Sequence, residues 1–258
     1  MAVIRSKDNP RIRRWQRLVR DARARREERR ALIEGPNLVE AWARLRGKPV
    51  TVLVAESALQ DEGMRALLRQ IDADPVVLAD GVLQAIADVR TPQGIAAEIA
   101  VPEGGGDLGR ARHCVFLDGI QDAGNLGTIL RSACAFGVTH VVAGPGCADA
   151  WSPKVLRAGA GAHAALDILE TADLPGALHV FAGRILCTAP EGGFLLNDAD
   201  LSGRIGWIFG AEGQGVQPAL ARLASASVSI PMAGGTESLN VASAAAICLY
   251  ETRRRGTQ

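Results

Sequence analysis

Three short segments of this 258-residue chain carry residue types and spacings that could do chemistry. In the first, an apolar run ending in Leu117-Asp118 passes through small residues into Asn125-Leu126-Gly127-Thr128-Ile129-Leu130-Arg131. An arginine one turn inside a helix that begins beyond Gly127 reaches an anion held near the loop. The second segment is Phe209-Gly210-Ala211-Glu212-Gly213-Gln214-Gly215-Val216, in which three glycines let backbone approach a ligand beside one carboxylate. The third, Ile230-Pro231-Met232 through Ser238-Leu239-Asn240-Val241, leads from a strand into a loop whose Ser and Asn open the last helix. Each has an ordinary structural explanation. Asn125 and Ser238 are good helix caps, Arg131 suits a helix surface, and glycines turn chains.

Other constellations carry less. Gly104-Gly105-Gly106-Asp107-Leu108-Gly109 spells the dinucleotide fingerprint, but it precedes the first strand of its domain. That fingerprint works only between a strand and the helix whose N-terminus meets the pyrophosphate. The reading as a Rossmann-type nucleotide enzyme therefore lacks its site. His113, His140, His163 and His179 fall singly in or beside apolar stretches, which fits structural histidines and predicts no metal centre. Asp198 and Asp200 look like an ordinary turn. Five scattered cysteines without Cys-x-x-Cys fit a reducing cytoplasm rather than disulfides or a zinc knuckle.

The elements that must position the three segments form an α/β series. Strands are predicted at Cys114–Leu117, His140–Ala143, Ile185–Thr188, Gly206–Phe209 and Val228–Ile230. Helices are predicted over Gly127–Phe136, Pro153–Ala158, Val216–Leu223 and Leu239–Arg253. Residues 101–111, led by Val101-Pro102 and rich in glycine, read as a linker between a domain over 1–100 and one over 112–258. The first domain opens with a helix from Pro10, apolar at Ile12, Trp15 and Leu18/Val19 and basic between. Short strands at Val50–Val54 and Pro75–Leu78, with helices at Ser57–Gln70 and Gly81–Ala87, make it a smaller α/β unit.

A hydrophobic content of 48% excludes a mostly disordered chain. Ser238–Tyr250 is too short to span a bilayer, and charge near the N-terminus breaks the apolar core of any export signal. The net charge of +1 conceals a division. Residues 1–30 hold twelve Lys/Arg against four Asp/Glu, a net +8, while the remainder holds 17 against 24, a net −7. Such a basic arm points to a polyanion, with a solvated helix face as the alternative. Arg11, Arg13, Arg14 and Arg17 are its candidate phosphate contacts.

In this order and spacing, the three segments resemble the signature motifs of the SpoU/TrmH family of SPOUT methyltransferases. The resemblance covers about Val115 to Arg254 and rests on Asn-x-Gly-x-x-x-Arg, Gly-x-Glu-Gly-x-Gly and Ser-Leu-Asn-Val. Ile33-Glu34-Gly35-Pro36-Asn37-Leu38-Val39 and Thr91-Pro92-Gln93-Gly94-Ile95 resemble, more loosely, the substrate-binding domain often fused to these enzymes. Many relatives have Asn where Ala211 stands and Ser near Gly159, departures that leave the subfamily open.

The resemblance implies an α/β fold with a trefoil-knotted, mostly parallel sheet and transfer of a methyl group from S-adenosylmethionine to a ribose 2′-hydroxyl in RNA. It places the cofactor against Thr188, Gly210, Ile230, Met232 and Leu239, with Gly210 bare because the ligand comes close. It makes Arg131, Asn125, Glu212, Ser238 and Asn240 the catalytic constellation. It implies a homodimer in which the arginine serves the partner's site, a cytoplasmic location, no membrane and no metal. Ribosomal RNA is the expected substrate; transfer RNA and a catalytically silent RNA-binding role are the alternatives.

Overall fold

The computed structural model describes residues 2–190, 192–233 and 238–256. The chain divides into two compact units, Met1–Pro102 with Trp151–Ala165, and Glu103–Ala150 with Leu166–Gln258.

The first unit begins with α1 (Pro10–Arg20) and α2 (Ala22–Glu28). Asn9 caps α1 by accepting Arg11 N–H at 2.9 Å, and Pro10 fits the first turn because its missing N–H would have no partner there. Ile12, Trp15, Leu18 and Val19 face the core, each fully buried apolar side chain contributing roughly 1.5–3 kcal/mol. Next come β1 (Arg30–Glu34), α3 (Pro36–Arg46), β2 (Thr51–Ala55), α4 (Glu62–Gln70), β3 (Val76–Leu78), α5 (Asp80–Ile86) and β4 (Ile95–Ala100). The sheet runs β1-β4-β2-β3, with only the β2–β3 pair parallel. Glu98 on β4 is 3% exposed and accepts bonds from Arg14 Nη1 and Nη2 and from Trp15 Nε1, all at 2.8–2.9 Å.

The second unit holds β5 (His113–Asp118), α6 (Ala123–Ala135) and β6 (His140–Ala143). The helices α7 (Pro153–Gly159) and α8 (Ala162–Ala165) follow in sequence but group with the first unit, where Arg157 pairs with Asp88 at 2.7 Å. The chain then returns through β7 (Asp167–Glu170), α9 (Leu174–Val180), β8 (Arg184–Thr188), β9 (Phe194–Leu195), β10 (Ile205–Gly210), α10 (Pro218–Ala221), β11 (Ala226–Ser229) and α11 (Val241–Arg255). Its seven strands are all parallel, in the order β7-β6-β5-β10-β8-β11-β9. Parallel strands place all their C-terminal ends along one edge, so the loops after Asp118, Thr188, Gly210 and Ser229 gather there. Among the described residues no helix is long and apolar enough to cross a membrane.

Three local expectations change. The helix after β5 starts at Ala123, because Asp122, not Asn125, is its cap and accepts Asn125 N–H at 2.8 Å. The last helix starts at Val241 with Asn240, not Ser238, as cap. The glycine-rich stretch is not a free tether. Gly105 N–H donates to Asp167 at 2.6 Å and His140 Nε2 to Gly106 O at 2.7 Å, while a Cβ on Gly104 would lie 2.1 Å from Ile168 O. Glycine here permits close packing on β7.

Candidate active site

At the C-terminal edge of β8, β10 and β11 lies a cavity of about 430 Å³. Thr188, Gly210, Ile230, Met232 and Leu239, the five expected cofactor residues, all line it, as do Glu212 and Ser238. The strand ends supply its floor, and the opening of α11 supplies Val241 and Ala244. Ligand cavities commonly span roughly 300–1,000 Å³ with apolar walls and a few polar groups. Val228, Ile230, Met232 and Leu239 provide apolar walls for a nucleoside, and Thr188 and Glu212 provide polar edges. These residues fit an adenosyl-type cofactor in size and chemistry.

At the rim, side chains from all three segments bond to one another. Asn125 Nδ2 donates to Glu212 Oε1 at 2.6 Å, and Asn240 Nδ2 donates to the same oxygen at 2.8 Å. Asn240 Nδ2 also donates to Asn125 Oδ1 at 3.1 Å. Asn125 is free for this because Asp122 caps its helix, and Asn240 manages both tasks by capping α11 through Oδ1.

Gly210 needs its bare backbone for a reason within the protein itself. A Cβ there would lie 2.1 Å from the carbonyl of Gly215 and 2.2 Å from Val216 N. The loop's own returning backbone already fills the space a side chain would take. That loop closes on itself through Gly215 N–H to Ala211 O at 2.8 Å, with Gly213 and Gly215 at φ of 81° and 67°.

Arg131 stands apart. It is exposed on α6, does not line the cavity, and its side chain has no hydrogen-bond or ion-pair partner among the described residues. Of the basic-arm residues, Arg14 is held by Glu28 and Glu98, Arg17 by Glu28 at 2.6 Å and Arg13 by Asp8 at 2.6 Å. Arg11 lies over the Trp15 ring, 5.1 Å from its centroid.

Sequence reasoning passed over two supports of this site. Asp118 is 2% exposed and accepts both the backbone N–H and the Nε2–H of Gln217, each at 2.8 Å. Cys147 accepts Ile120 N–H at 3.3 Å, and burial pushes its thiol up, so it braces the loop after β5 rather than reacting. An acid ending an apolar strand was the available signal for Asp118.

Residues 112–250 match the SpoU rRNA Methylase family, and residues 9–97 match the MRM3-like substrate binding domain. The chain belongs to the SpoU methylase family. It is 33% identical to the 23S rRNA (guanosine(2553)-2'-O)-methyltransferase RlmP of Bacillus subtilis, over 98% of this chain and 100% of that protein. Among solved structures it resembles an rRNA methyltransferase from Sinorhizobium meliloti, with TM-score 0.84, 27% identity and 98% of each chain covered. It also resembles the SpoU methyltransferase AviRb from Streptomyces viridochromogenes in complex with AdoMet, with TM-score 0.82, 28% identity, 96% of this chain and 98% of that one.

Proposed function

We propose that this SpoU methylase transfers the methyl group of S-adenosylmethionine to a ribose 2′-hydroxyl of ribosomal RNA. The observation that carries the proposal is the Asn125–Glu212–Asn240 cluster, which ties the three motif segments together at the rim of the cavity. Ribosomal RNA is favoured over transfer RNA because the full-length Bacillus relative is covered end to end by this two-unit chain and is named for 23S rRNA.

Thr188, Gly210, Ile230, Met232 and Leu239 would hold the cofactor, which supplies an electrophilic methyl group on a sulfonium. The chain's own residues supply alignment and charge. Glu212 spends Oε1 on two amide donors, so its task is to fix the loop that walls the cavity. Ser238, exposed at the rim, orients the incoming ribose. The planar fork of guanidinium donors on Arg131 suits it to grip the adjacent phosphate and to stabilise negative charge developing on the 2′-oxygen. The hydroxyl proton leaves to water.

The position of Arg131 outside the cavity lining supports its service in a partner's site. The outer face of α11 exposes Ile247 (40%) and Tyr250 (54%), and Tyr250 meets Phe136 at the end of α6 edge-on, with ring centroids 5.8 Å apart. That apolar face is where a second copy would pack, with Arg131 of one protomer serving the cavity of the other.

Mapping 2′-O-methyl groups in rRNA and tRNA from a deletion strain tests the proposal. One rRNA ribose should lose its methyl group and regain it on complementation. Loss confined to tRNA, or no loss at all, contradicts it.

A further inference from the structure

Asp118 is buried and does not line the cavity, yet it ties the first motif segment to the residue that ends the second. It is the last residue of β5, and its register partner in the parallel pair is Gly210, the last residue of β10. From Gly210 the chain makes the closed loop that carries Glu212 and returns at Gly215–Val216 against Gly210 itself. The next residue, Gln217, is fixed by both carboxylate oxygens of Asp118: Oδ2 takes the backbone N–H and Oδ1 takes Nε2–H. A buried carboxylate that meets two donors in this way is strongly held, because leaving either oxygen bare costs desolvation.

We infer that Asp118 and Gln217 form a clamp that sets the position of the Glu212 loop relative to the Asn125 segment, making Asp118 a positioning residue for the proposed methyl transfer. The inference rests on that functional reading for its consequence, but not for its geometry. β5 fixes Asp118, Asp118 fixes the exit of the loop, and the loop then presents Glu212 Oε1 to Asn125 and Asn240. Released at Gln217, the loop would keep its internal Ala211–Gly215 bond and its start at β10 but lose the tie of its exit to β5.

The clamp has complementary donors and acceptors, so it can be broken and rebuilt. Gln217→Glu sets a carboxylate against Asp118 and removes the side-chain donor. Asp118→Asn in that background supplies an amide donor to the carboxylate introduced at position 217, while the amide oxygen still accepts the backbone N–H. Asp118→Asn alone is tolerated, because the Gln217 amide can turn to offer its oxygen. Two readouts are measured in the full-length protein: hydrogen exchange at the amides of 211–217, and calorimetric binding of S-adenosylmethionine. Thermal unfolding confirms that each variant folds. Gln217→Glu should speed exchange in the loop and weaken cofactor binding by about tenfold or more, the size of one broken charge-assisted bond. The double variant should return both to within about threefold of wild type. Unchanged exchange in Gln217→Glu, or a double variant as impaired as the single one, overturns the clamp. If wild type binds no S-adenosylmethionine, with or without RNA, the functional proposal fails while the exchange data still decide the clamp.

Discussion

Asn240 donates from Nδ2 to Glu212 Oε1 at 2.8 Å while its Oδ1 accepts the N–H groups of Ala242 and Ser243. One side chain thus starts α11 with its oxygen and anchors the glycine-rich loop with its nitrogen. Asn240→Asp separates the two tasks. Aspartate caps helices as well as asparagine does, so stability in urea should change by less than about 0.5 kcal/mol. The donor to Glu212 is removed and a like charge takes its place, so methyl transfer should fall by about tenfold or more. A parallel loss of stability and activity would reduce Asn240 to a cap.

Gly210→Ala tests whether the loop, rather than a ligand, requires the bare backbone. The added methyl would meet Gly215 and Val216 even in the unliganded protein. Overpacking of this kind costs about 1–3 kcal/mol, and thermal unfolding without cofactor should show it. A variant of unchanged stability that fails only in cofactor binding would restore the steric-ligand explanation.

Five strands of the second unit were legible because their apolar runs are short, β-branched and well punctuated, and His140–Ala143 matches to the residue, whereas β7, β9 and α9 were not read. The residues that meet at the cavity and its rim were marked in the sequence by glycine spacing and isolated polar groups. Competing caps were not. Asp122 and Asn125 both suit a helix start, and only the fold shows that Asp122 takes the N–H while Asn125 turns to Glu212. Strands β1 and β4 were hidden because Arg30 and Glu34 bracket a three-residue apolar run and because β4 reads as alanine-rich. Nor does sequence order reveal that Trp151–Ala165 groups with the N-terminal residues rather than with its neighbours in sequence.

The basic arm divides into committed and available cations. Replacing Arg11, Arg20 and Arg26, all exposed, with Ala should weaken RNA binding and flatten its log–log salt slope by about 0.7–0.9 for each phosphate no longer neutralised. Arg14→Ala should act on folding instead. Burial pushes the Glu98 carboxyl up, but the bonds from Arg14 and Trp15 and the charges of Arg14 and Arg30 bring it below the ordinary value of 4.5. A carboxylate lowered in the folded state stabilises above its unfolded pKa and loses that contribution as pH falls through the folded one. Arg14→Ala should therefore cost about 1–3 kcal/mol at pH 7 and less at pH 3, measured by urea unfolding. Equal costs at both pH values would contradict this role for the pair.

Tyr250→Glu on the exposed face of α11 should give a monomer by sedimentation, with its fold intact and its methyl transfer abolished. Mixing Arg131→Ala with a cofactor-site variant should restore one working site of two if the arginine serves the partner. A dead mixture of folded, dimeric parents would place Arg131 in its own protomer's site.

The most direct test of the account is transfer of labelled methyl from S-adenosylmethionine to ribosomal RNA by purified wild type and Arg131→Ala, with the product mapped by nuclease digestion. The account predicts label on a single ribose 2′-oxygen with wild type, and a loss of about a hundredfold or more in Arg131→Ala despite unchanged calorimetric binding of the cofactor. Label on a base, or full transfer by Arg131→Ala, would contradict it.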